Sequence, residues 1–180
     1  MIPRDNIGKL KGMPCRLLID LDCLMILRTS LQAVAPEEGC ALLLGDATPE
    51  CRIRHVWPCC NVWRPGLIGF SEDGPVADEV DAPSASPSRR SRYAVDPREQ
   101  FAAQRWARRH RWQVIGSAHS HPKTDPVPSA VDRRWAVSEG VMVIDSGTRG
   151  IAAWWFHEAA RIPAQVLPML NFSEAVDGAW

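Results

Sequence analysis

The chain has 180 residues, which is enough for one domain with a sizeable buried core. Its 21 basic and 21 acidic residues cancel, so overall charge predicts neither a nucleic-acid partner nor binding to an anionic membrane surface. No apolar run approaches the roughly 20 residues that span a bilayer, and the start of the chain lacks the apolar core of a signal peptide. We therefore expect a cytoplasmic protein with a single domain over residues 1–180.

The first predicted elements are a strand and a helix. Residues 16–20 are typical of a short strand, and Asp20 or Asp22 can cap a helix that starts directly after it. Apolar side chains recur at helical spacing as far as about Ala35, and the proline that follows ends the helix.

Two strands and a long insertion follow. The continuous apolar run 40–44 is short enough for a buried strand, and the alternation over 51–57 predicts a second strand that pairs with it as a hairpin. Residues 64–92 are rich in Pro, Ser, Gly and acidic residues and lack periodicity. We expect them to form a flexible insertion within the single domain.

The clearest helix start in the sequence lies after this insertion. Asp96 is a capping residue, Pro97 suits the first helical position, and Glu99 can complete a capping box. The helix should extend to about His110. It should bury three residues of one face, Phe101, Ala102 and Trp106.

The remaining elements complete an α+β domain. We predict a strand, a helix opened by Ser129, a two-stranded hairpin and a last edge strand, over residues 112–119, 129–137, 141–157 and 161–167. This order of elements favours one mixed β-sheet packed against helices.

One motif carries most of the functional information: His119, Ser120, His121 and Pro122, followed by Ser129 and Asp132. Side chains two residues apart in an extended segment point to the same face, so both imidazoles can reach one metal ion. A carboxylate beyond the intervening loop can supply a third ligand and leave the fourth tetrahedral position to water, which is a known set for catalytic zinc. The sequence therefore predicts metal-assisted hydrolysis.

Each part of this motif also has a purely structural explanation. A single histidine is more often a packed core or surface residue, and Ser129 with Asp132 can be a helix capping box. Other His-x-His hydrolases fit less well. The chain is too short for an amidohydrolase barrel, Lys123 and Thr124 break the metallo-β-lactamase signature, and the cysteine pair of zinc deaminases is absent.

Hydrolysis at such a centre also needs a base. A zinc-bound water has a pKa of about 7 instead of about 15.7, and a nearby carboxylate must take up its proton and deliver it to the leaving amine. Glu37 and Glu38, which lie just before the strand 40–44, are both candidates. The Ser129 hydroxyl can donate to the oxyanion of the tetrahedral intermediate.

The complete pattern resembles the JAMM (MPN+) zinc metalloproteases. It combines E-x-C-x-L-L-x-G, from Glu38 to Gly45, with the H-S-H-P-x6-S-x2-D element. Asn61 and the stretch 92–100 are similar to the short bacterial branch of that family, and the resemblance covers nearly the whole chain. It implies a single MPN-like (cytidine-deaminase-like) domain of the α+β class.

The resemblance also implies the cofactor, the substrate and the roles of the site residues. His119, His121 and Asp132 correspond to the ligands of Zn²⁺. Glu38, two residues before the cysteine of the motif, corresponds to the general acid/base, and Ser129 corresponds to the oxyanion donor. Members of the family cleave peptide or isopeptide bonds at the tail of ubiquitin or ubiquitin-like proteins, so the expected substrate is a β-grasp, sulfur-carrier-type protein with a Gly-Gly tail. Two alternatives remain open, a non-catalytic MPN scaffold and a zinc hydrolase of small peptides or amides.

Overall fold

An eight-stranded mixed β-sheet organises the part of the chain that the structure describes. The structure is a computed structural model, and it describes residues 14–47, 51–67, 87–136, 139–157 and 163–172. Its strands are β1 (Leu17–Asp20), β2 (Cys40–Asp46), β3 (Cys51–Cys59), β4 (Gln113–Ser120), β5 (Gly140–Asp145), β6 (Ile151–Phe156), β7 (Gln165–Leu167) and β8 (Met169–Phe172). Its α-helices are α1 (Leu21–Gln32), α2 (Pro97–Arg109) and α3 (Ala130–Trp135), and a 3₁₀ turn at Gly147–Arg149 joins β5 to β6.

The pairing of the strands is mixed. Across the sheet their order is β7-β6-β5-β4-β2-β3-β1-β8. β4 is parallel to β5, and β1 is parallel to both of its neighbours, whereas the other pairs are antiparallel. This confirms the prediction of one mixed sheet with helices packed on it, while the finer cytidine-deaminase-like assignment stays a prediction. None of the helices in the described residues is long and apolar enough to cross a membrane.

Helices cover both faces of the sheet, which explains why the central strand β2 is a continuous apolar run. On one face, Leu43 packs in the same core as the buried residues of α1. On the opposite face, Leu42 and Leu44 pack against Ala103 and Ala107 of α2. Alternate leucines of one strand therefore belong to two separate cores.

The sheet curls so that its two edges come together. β7 pairs with β6 at one edge and β8 pairs with β1 at the other, yet only Pro168 separates these two strands in the chain. The carbonyl of Pro168 accepts a hydrogen bond from the amide of Leu17 at 2.8 Å. Leu167 and Met169 both pack in the core on the α1 face, so the concave side of the sheet faces α1.

Two predicted elements have different ends in the structure. α1 is capped by Asp20, whose carboxylate accepts from the amide of Cys23 at 2.6 Å, but the helix ends at Gln32 instead of about Ala35. Ala35 precedes a proline, a position at which helical backbone is disfavoured. The edge strand predicted at 161–167 is confirmed only for β7, and residues 161–162 lie outside the described chain.

One strand was absent from the prediction. β8 begins one residue after β7, beyond a proline that marks the end of a strand in sequence patterns. The pairing of β8 with β1, at the far end of the chain, stabilises it, and a local pattern contains no information on such a partner.

The face that α2 buries also differs from the prediction. Its buried residues are Ala103 and Ala107, whereas Phe101 is 72% exposed, Ala102 is exposed, and Trp106 is only partly buried. The two small side chains lie four residues apart on one face, and they let the helix approach the leucines of β2 closely. The buried face of α2 is therefore the one that allows close approach to the sheet, and it is not the most apolar face of the helix.

The start of α2 follows the predicted pattern except at one residue. The carboxylate of Asp96 accepts from the amide of Arg98 at 2.8 Å, and Pro97 occupies the first turn. Glu99, predicted to complete a capping box, instead accepts a hydrogen bond from the indole Nε1 of Trp57 at 2.9 Å. A contact with β3 replaces the local one.

The described ends of the predicted insertion lie side by side. Residues 64–67 and 87–92 belong to it, and residues 68–86 lie outside the described part of the chain. The side chain of Arg89 donates from Nε to the carbonyl of Trp63 at 3.0 Å. The flexibility of the insertion and the single-domain extent over residues 1–180 stay predictions.

The same substitution at two neighbouring positions of α2 tests which face is buried. Ala103 is 0% exposed, so Ala103→Gln forces a longer, polar side chain into the core. It should lower the free energy of unfolding by about 3 kcal/mol or more. Ala102→Gln points to solvent and should change it by less than about 0.5 kcal/mol. Urea unfolding followed by circular dichroism measures both, and equal losses would contradict the observed face.

Candidate metal centre

Strand β4 brings two histidines to one place. His119 lies opposite Cys40 of β2 in the sheet and is fully buried. His121 follows directly after the strand, and its amide donates to the carbonyl of Asp145 on β5 at 3.0 Å. Because side chains alternate along an extended chain, both imidazoles lie on one face, and their Nε2 atoms are 3.0 Å apart.

A capping box at the start of α3 holds the acidic member of the group. The hydroxyl of Ser129 accepts from the amide of Asp132 at 3.1 Å, while Oδ2 of Asp132 accepts from both the amide and the hydroxyl of Ser129 at 2.7 Å. The carboxylate oxygens lie 3.3 Å from Nε2 of His119 and 3.4 Å from Nε2 of His121. The capping box is therefore real, and it directs Asp132 towards both histidines.

The donor atoms of this group suit a divalent cation. One ligand atom from each of His119, His121 and Asp132 lies within 4.8 Å of the other two, and all three side chains are buried. Nδ1 of His121 lies 3.1 Å from the carbonyl oxygen of Asp125, so Nδ1 carries a proton and Nε2 is the nitrogen that could bind a cation once it is deprotonated. Two imidazole nitrogens and a carboxylate oxygen beside an open cavity form the donor set of catalytic zinc sites.

Tyr93, which was not among the predicted site residues, packs against the first histidine. Its ring stacks on the imidazole of His119, with the ring centroids 4.5 Å apart and the planes inclined by 21°. Burial raises the pKa of the Tyr93 hydroxyl, and the nearby carboxylate of Asp132 raises it further, so the phenol stays neutral. No spacing rule connects two residues so far apart in the chain. The only signal was that Tyr93 belongs to the stretch 92–100, which is similar to the bacterial branch of the family.

Asp132 and His121 stabilise each other's charged forms. Burial alone would raise the pKa of Asp132, but the charge of His119 and the hydrogen bonds from both histidines and Ser129 together hold it well below its usual range. Burial similarly acts to lower the pKa of His121, yet the hydrogen bond and charge of Asp132 raise it overall. A cation would therefore compete with a proton for this centre, and its binding should weaken as the pH falls.

Glu38 faces the same region from the segment before β2, and it is 7% exposed. Burial raises the pKa of its carboxyl to about 7, while the charge of His121 acts to lower it and the charge of Asp132 to raise it. The competing candidate, Glu37, has a side chain that is 45% exposed and forms an ion pair with Arg89 at 3.9 Å. Glu38, and not Glu37, lines the cavity that Asp132 also lines.

This cavity has a volume of about 380 Å³ and includes Glu38, Ser129 and Asp132 in its lining. Helices α2 and α3 supply walls, and strands β4 and β5 supply a floor. Its volume falls within the range of roughly 300–1,000 Å³ that is common for ligand pockets. Other lining residues are Gln100, Gln104, Ser117, Val131, Trp135 and Met142.

Metal content should depend on the three clustered residues. The purified protein should hold about one zinc ion per chain, and His119→Ala and Asp132→Ala should each reduce this to below about a tenth. His110→Ala removes an exposed histidine after the end of α2 and is the matched control. Plasma mass spectrometry after dialysis measures the zinc. Full retention in both ligand variants would show that these side chains do not bind the metal.

Glu38 should make the metal-free protein less stable as the pH rises. Its carboxyl has a pKa of about 7 in the folded protein and 4.5 as its ordinary value, so folding favours the protonated form. Stability is then fully present below about pH 4.5 and is lost as the pH rises through about 7, by at most about 3 kcal/mol. Glu38→Gln removes this titration. Its Tm should exceed that of the wild type at about pH 8 and match it at about pH 4.5, and a constant difference at both pH values would contradict the prediction.

Comparisons with known proteins agree with the fold. The solution structure of a protein from Desulfitobacterium hafniense is similar, with a TM-score of 0.65 and 21% sequence identity, over 88% of this chain and 94% of that chain. A solution structure from Salinibacter ruber has a TM-score of 0.56 and 24% identity, over 91% of this chain and 94% of that chain. At these identities the two structures show a shared fold. No curated protein matches this chain.

The sequence also matches a protein family. The match is to prokaryotic homologs of the JAB domain, and it extends over residues 21–157. That range is most of the chain, and it contains the whole candidate centre from Glu38 to Asp132. The resemblance to the bacterial JAMM/MPN group is confirmed, and the chain belongs to the family of prokaryotic homologs of the JAB domain.

Proposed function

We propose that the protein is a zinc-dependent metallopeptidase that hydrolyses a peptide or isopeptide bond at the C-terminal tail of a ubiquitin-like protein of the β-grasp, sulfur-carrier type. The observation that carries this proposal is the cluster of His119, His121 and Asp132, together with the cavity that Asp132 and Glu38 both line. Three of these side chains match a zinc ligand set. The fourth is a carboxylate that coordination does not require, so it is available for proton transfer.

Glu38 is the proposed general acid/base. When bound, a zinc ion supplies a Lewis acid and lowers the pKa of its water to about 7. Glu38 takes up the proton of the attacking water and then delivers it to the nitrogen of the leaving amine, so its carboxylate is restored at the end of the reaction. The pKa of about 7 that burial gives this carboxyl makes both protonation states accessible near neutral pH.

Ser129 is the proposed donor to the oxyanion. Its hydroxyl donates to Asp132 in the structure, so it must turn towards the carbonyl oxygen of the substrate to act. The amide of Ser129 also donates to Oδ2 of Asp132 at 2.7 Å, and this bond would keep the carboxylate in position when the hydroxyl turns. Removal of a comparable donor in other enzymes costs about 10²–10³ in rate.

The lining of the cavity supports a tail with small side chains as the substrate. Ala94, Gly116 and Gly140 are among the lining residues, so parts of the wall present backbone and little side chain. Gln100 and Gln104 of α2 carry amides that can donate to and accept from the backbone of an extended peptide. The family resemblance supplies the choice of a ubiquitin-like protein with a Gly-Gly tail.

Cleavage of a folded carrier tests the proposal directly. A β-grasp sulfur carrier extended beyond its Gly-Gly tail by a short peptide should be cut after the second glycine, as measured by intact-mass spectrometry. The same tail as a free peptide should have a kcat/KM at least about tenfold lower, because it lacks the binding energy of the folded part. Equal turnover of both would favour a hydrolase of small peptides. No turnover by the zinc-loaded protein would favour a non-catalytic MPN scaffold.

Two neighbouring glutamates provide a matched pair for the same assay. Glu38→Gln keeps the shape of the side chain but cannot accept a proton, so activity should fall by about 10²–10⁴ while zinc content is unchanged. Glu37→Gln makes the identical change on a half-exposed side chain and should leave activity intact. Loss of activity in the Glu37 variant together with a silent Glu38 variant would contradict the assignment.

A further inference from the structure

We propose that Asn61 is a positioning residue for Glu38, and that it acts by fixing the backbone from which the Glu38 carboxylate projects. The inference rests on the proposed function, because it concerns the group assigned there as the general acid/base. It adds a residue whose four side-chain hydrogen bonds all go to backbone groups and none to the three clustered metal-site residues. It also makes the returning end of the insertion, residues 87–92, part of the support of the centre.

The side chain of Asn61 uses all of its hydrogen-bonding capacity to join separate backbone segments. Nδ2 donates to the carbonyl of Glu38 and to the carbonyl of Arg92, both at 3.0 Å. Oδ1 accepts from the amide of Trp63 at 3.0 Å and from the amide of Ala94 at 3.2 Å. Only a primary amide supplies two donors on one atom and two acceptor lone pairs on the other. The two carbonyls and two amides also fix which end of the amide is oxygen.

The other backbone group of Glu38 is held by the same returning segment. Its amide donates to the carbonyl of Arg89 at 2.7 Å, and Arg89 is itself held by the bond from its Nε to the carbonyl of Trp63. Glu38 precedes β2 and lies outside the regular strand pairing. Its amide and its carbonyl are therefore fixed by Asn61 and the returning segment, and not by neighbouring strands of the sheet.

The next residue shows the contrast. The amide of Gly39 donates to the hydroxyl of Ser120, between the two histidines of the centre, so Gly39 is held by β4. Glu38 therefore lies where two kinds of support meet: β4 holds the residue after it, and Asn61 with the returning segment holds its own backbone. Asn61 also binds the backbone of Arg92 and Ala94, which flank Tyr93, and the ring of Tyr93 stacks on His119. Loss of the Asn61 side chain should free Glu38 while Gly39 and the histidines stay in place.

Amide exchange measured by NMR tests this placement without any substrate. In Asn61→Ala, the Glu38 amide should exchange at least about tenfold faster than in the wild type, while the adjacent Gly39 amide keeps its protection. Unchanged protection at Glu38 would overturn the proposal, and so would an equal loss at both residues, which would indicate general destabilisation.

Kinetics of the zinc-loaded protein give the second test. Because a misplacement of about 1 Å can cost on the order of 10²-fold in rate, Asn61→Ala should lower kcat by about 10- to 100-fold. KM should change by less than about twofold and zinc content should be retained. In a Glu38→Gln background, the same substitution should cause no further loss of the residual rate, because the carboxylate that Asn61 positions is already absent. Equal losses in both backgrounds would overturn the proposal.

Further variants separate positioning from folding. Asn171→Ala makes the same change on the edge strand β8 and should match the wild type in every measurement. Arg89→Ala removes a half-exposed side chain and its bond to Trp63, so it should raise Glu38 exchange in the same direction even if Asn61→Ala fails to fold. Glu37→Gln removes only the ion pair of Arg89 and is its control. If the wild type cleaves neither substrate, the proposed function fails, and Glu38 exchange alone then decides the role of Asn61.

Discussion

The hydrogen bond from the amide of Gly39 to the hydroxyl of Ser120 joins the two halves of the metal centre. It is buried and 2.9 Å long, and the same hydroxyl donates to the carbonyl of Leu31 at 3.3 Å. One small side chain thus connects the last turn of α1, the segment before β2 and the end of β4. Glu38 precedes the glycine and the two histidines flank the serine, so this contact governs the distance between the acid and the ligands. A side chain at Gly39 would bring its Cβ within 2.4 Å of the Leu31 carbonyl oxygen, so the close approach requires glycine.

Asp132, the third candidate ligand, is positioned by local helix capping and not by contacts between distant segments. Asp132 is held by the amide and hydroxyl of Ser129, which are local contacts that form with the first turn of α3. The carboxylate is therefore placed before any metal arrives, and less conformational freedom is lost on binding. The first turn of a helix also favours a negative charge, so the position costs the fold little. Local helix capping and ligand geometry are satisfied by the same atoms.

The clustered side chains could be predicted from sequence because each belongs to a locally specified element. Alternation along the extended chain of β4 and the residue after it places His119 and His121 on one face, and the Ser129 cap places Asp132. The stacking of Tyr93 and the hydrogen bonds of Asn61 depend on how the two ends of an insertion meet, and no local period contains that information.

The wrong face of α2 has a related physical cause. Hydrophobicity favoured burial of Phe101, but the side chains of α2 that are fully buried against the leucines of β2 are the small ones of Ala103 and Ala107. A sequence pattern reports which side chains avoid water, and it does not report how closely a helix must approach its sheet. The absence of β8 from the sequence prediction also reflects information that a local pattern lacks, because its partner β1 lies at the opposite end of the chain.

The curled sheet has a consequence for how the protein comes apart. One short stretch, β7 and β8 with Pro168 between them, covers the outer edges of both β6 and β1. We call this stretch the clasp, because β7 and β8 are joined through a single residue and detachment of one strand from the sheet strains the other. Release of the clasp would uncover two unpaired rows of backbone N–H and C=O groups at once, which are the surfaces from which edge-to-edge aggregation starts. The stretch 165–172 therefore couples the covering of β6 to the covering of β1, although it lies outside the motif that marks the metal centre.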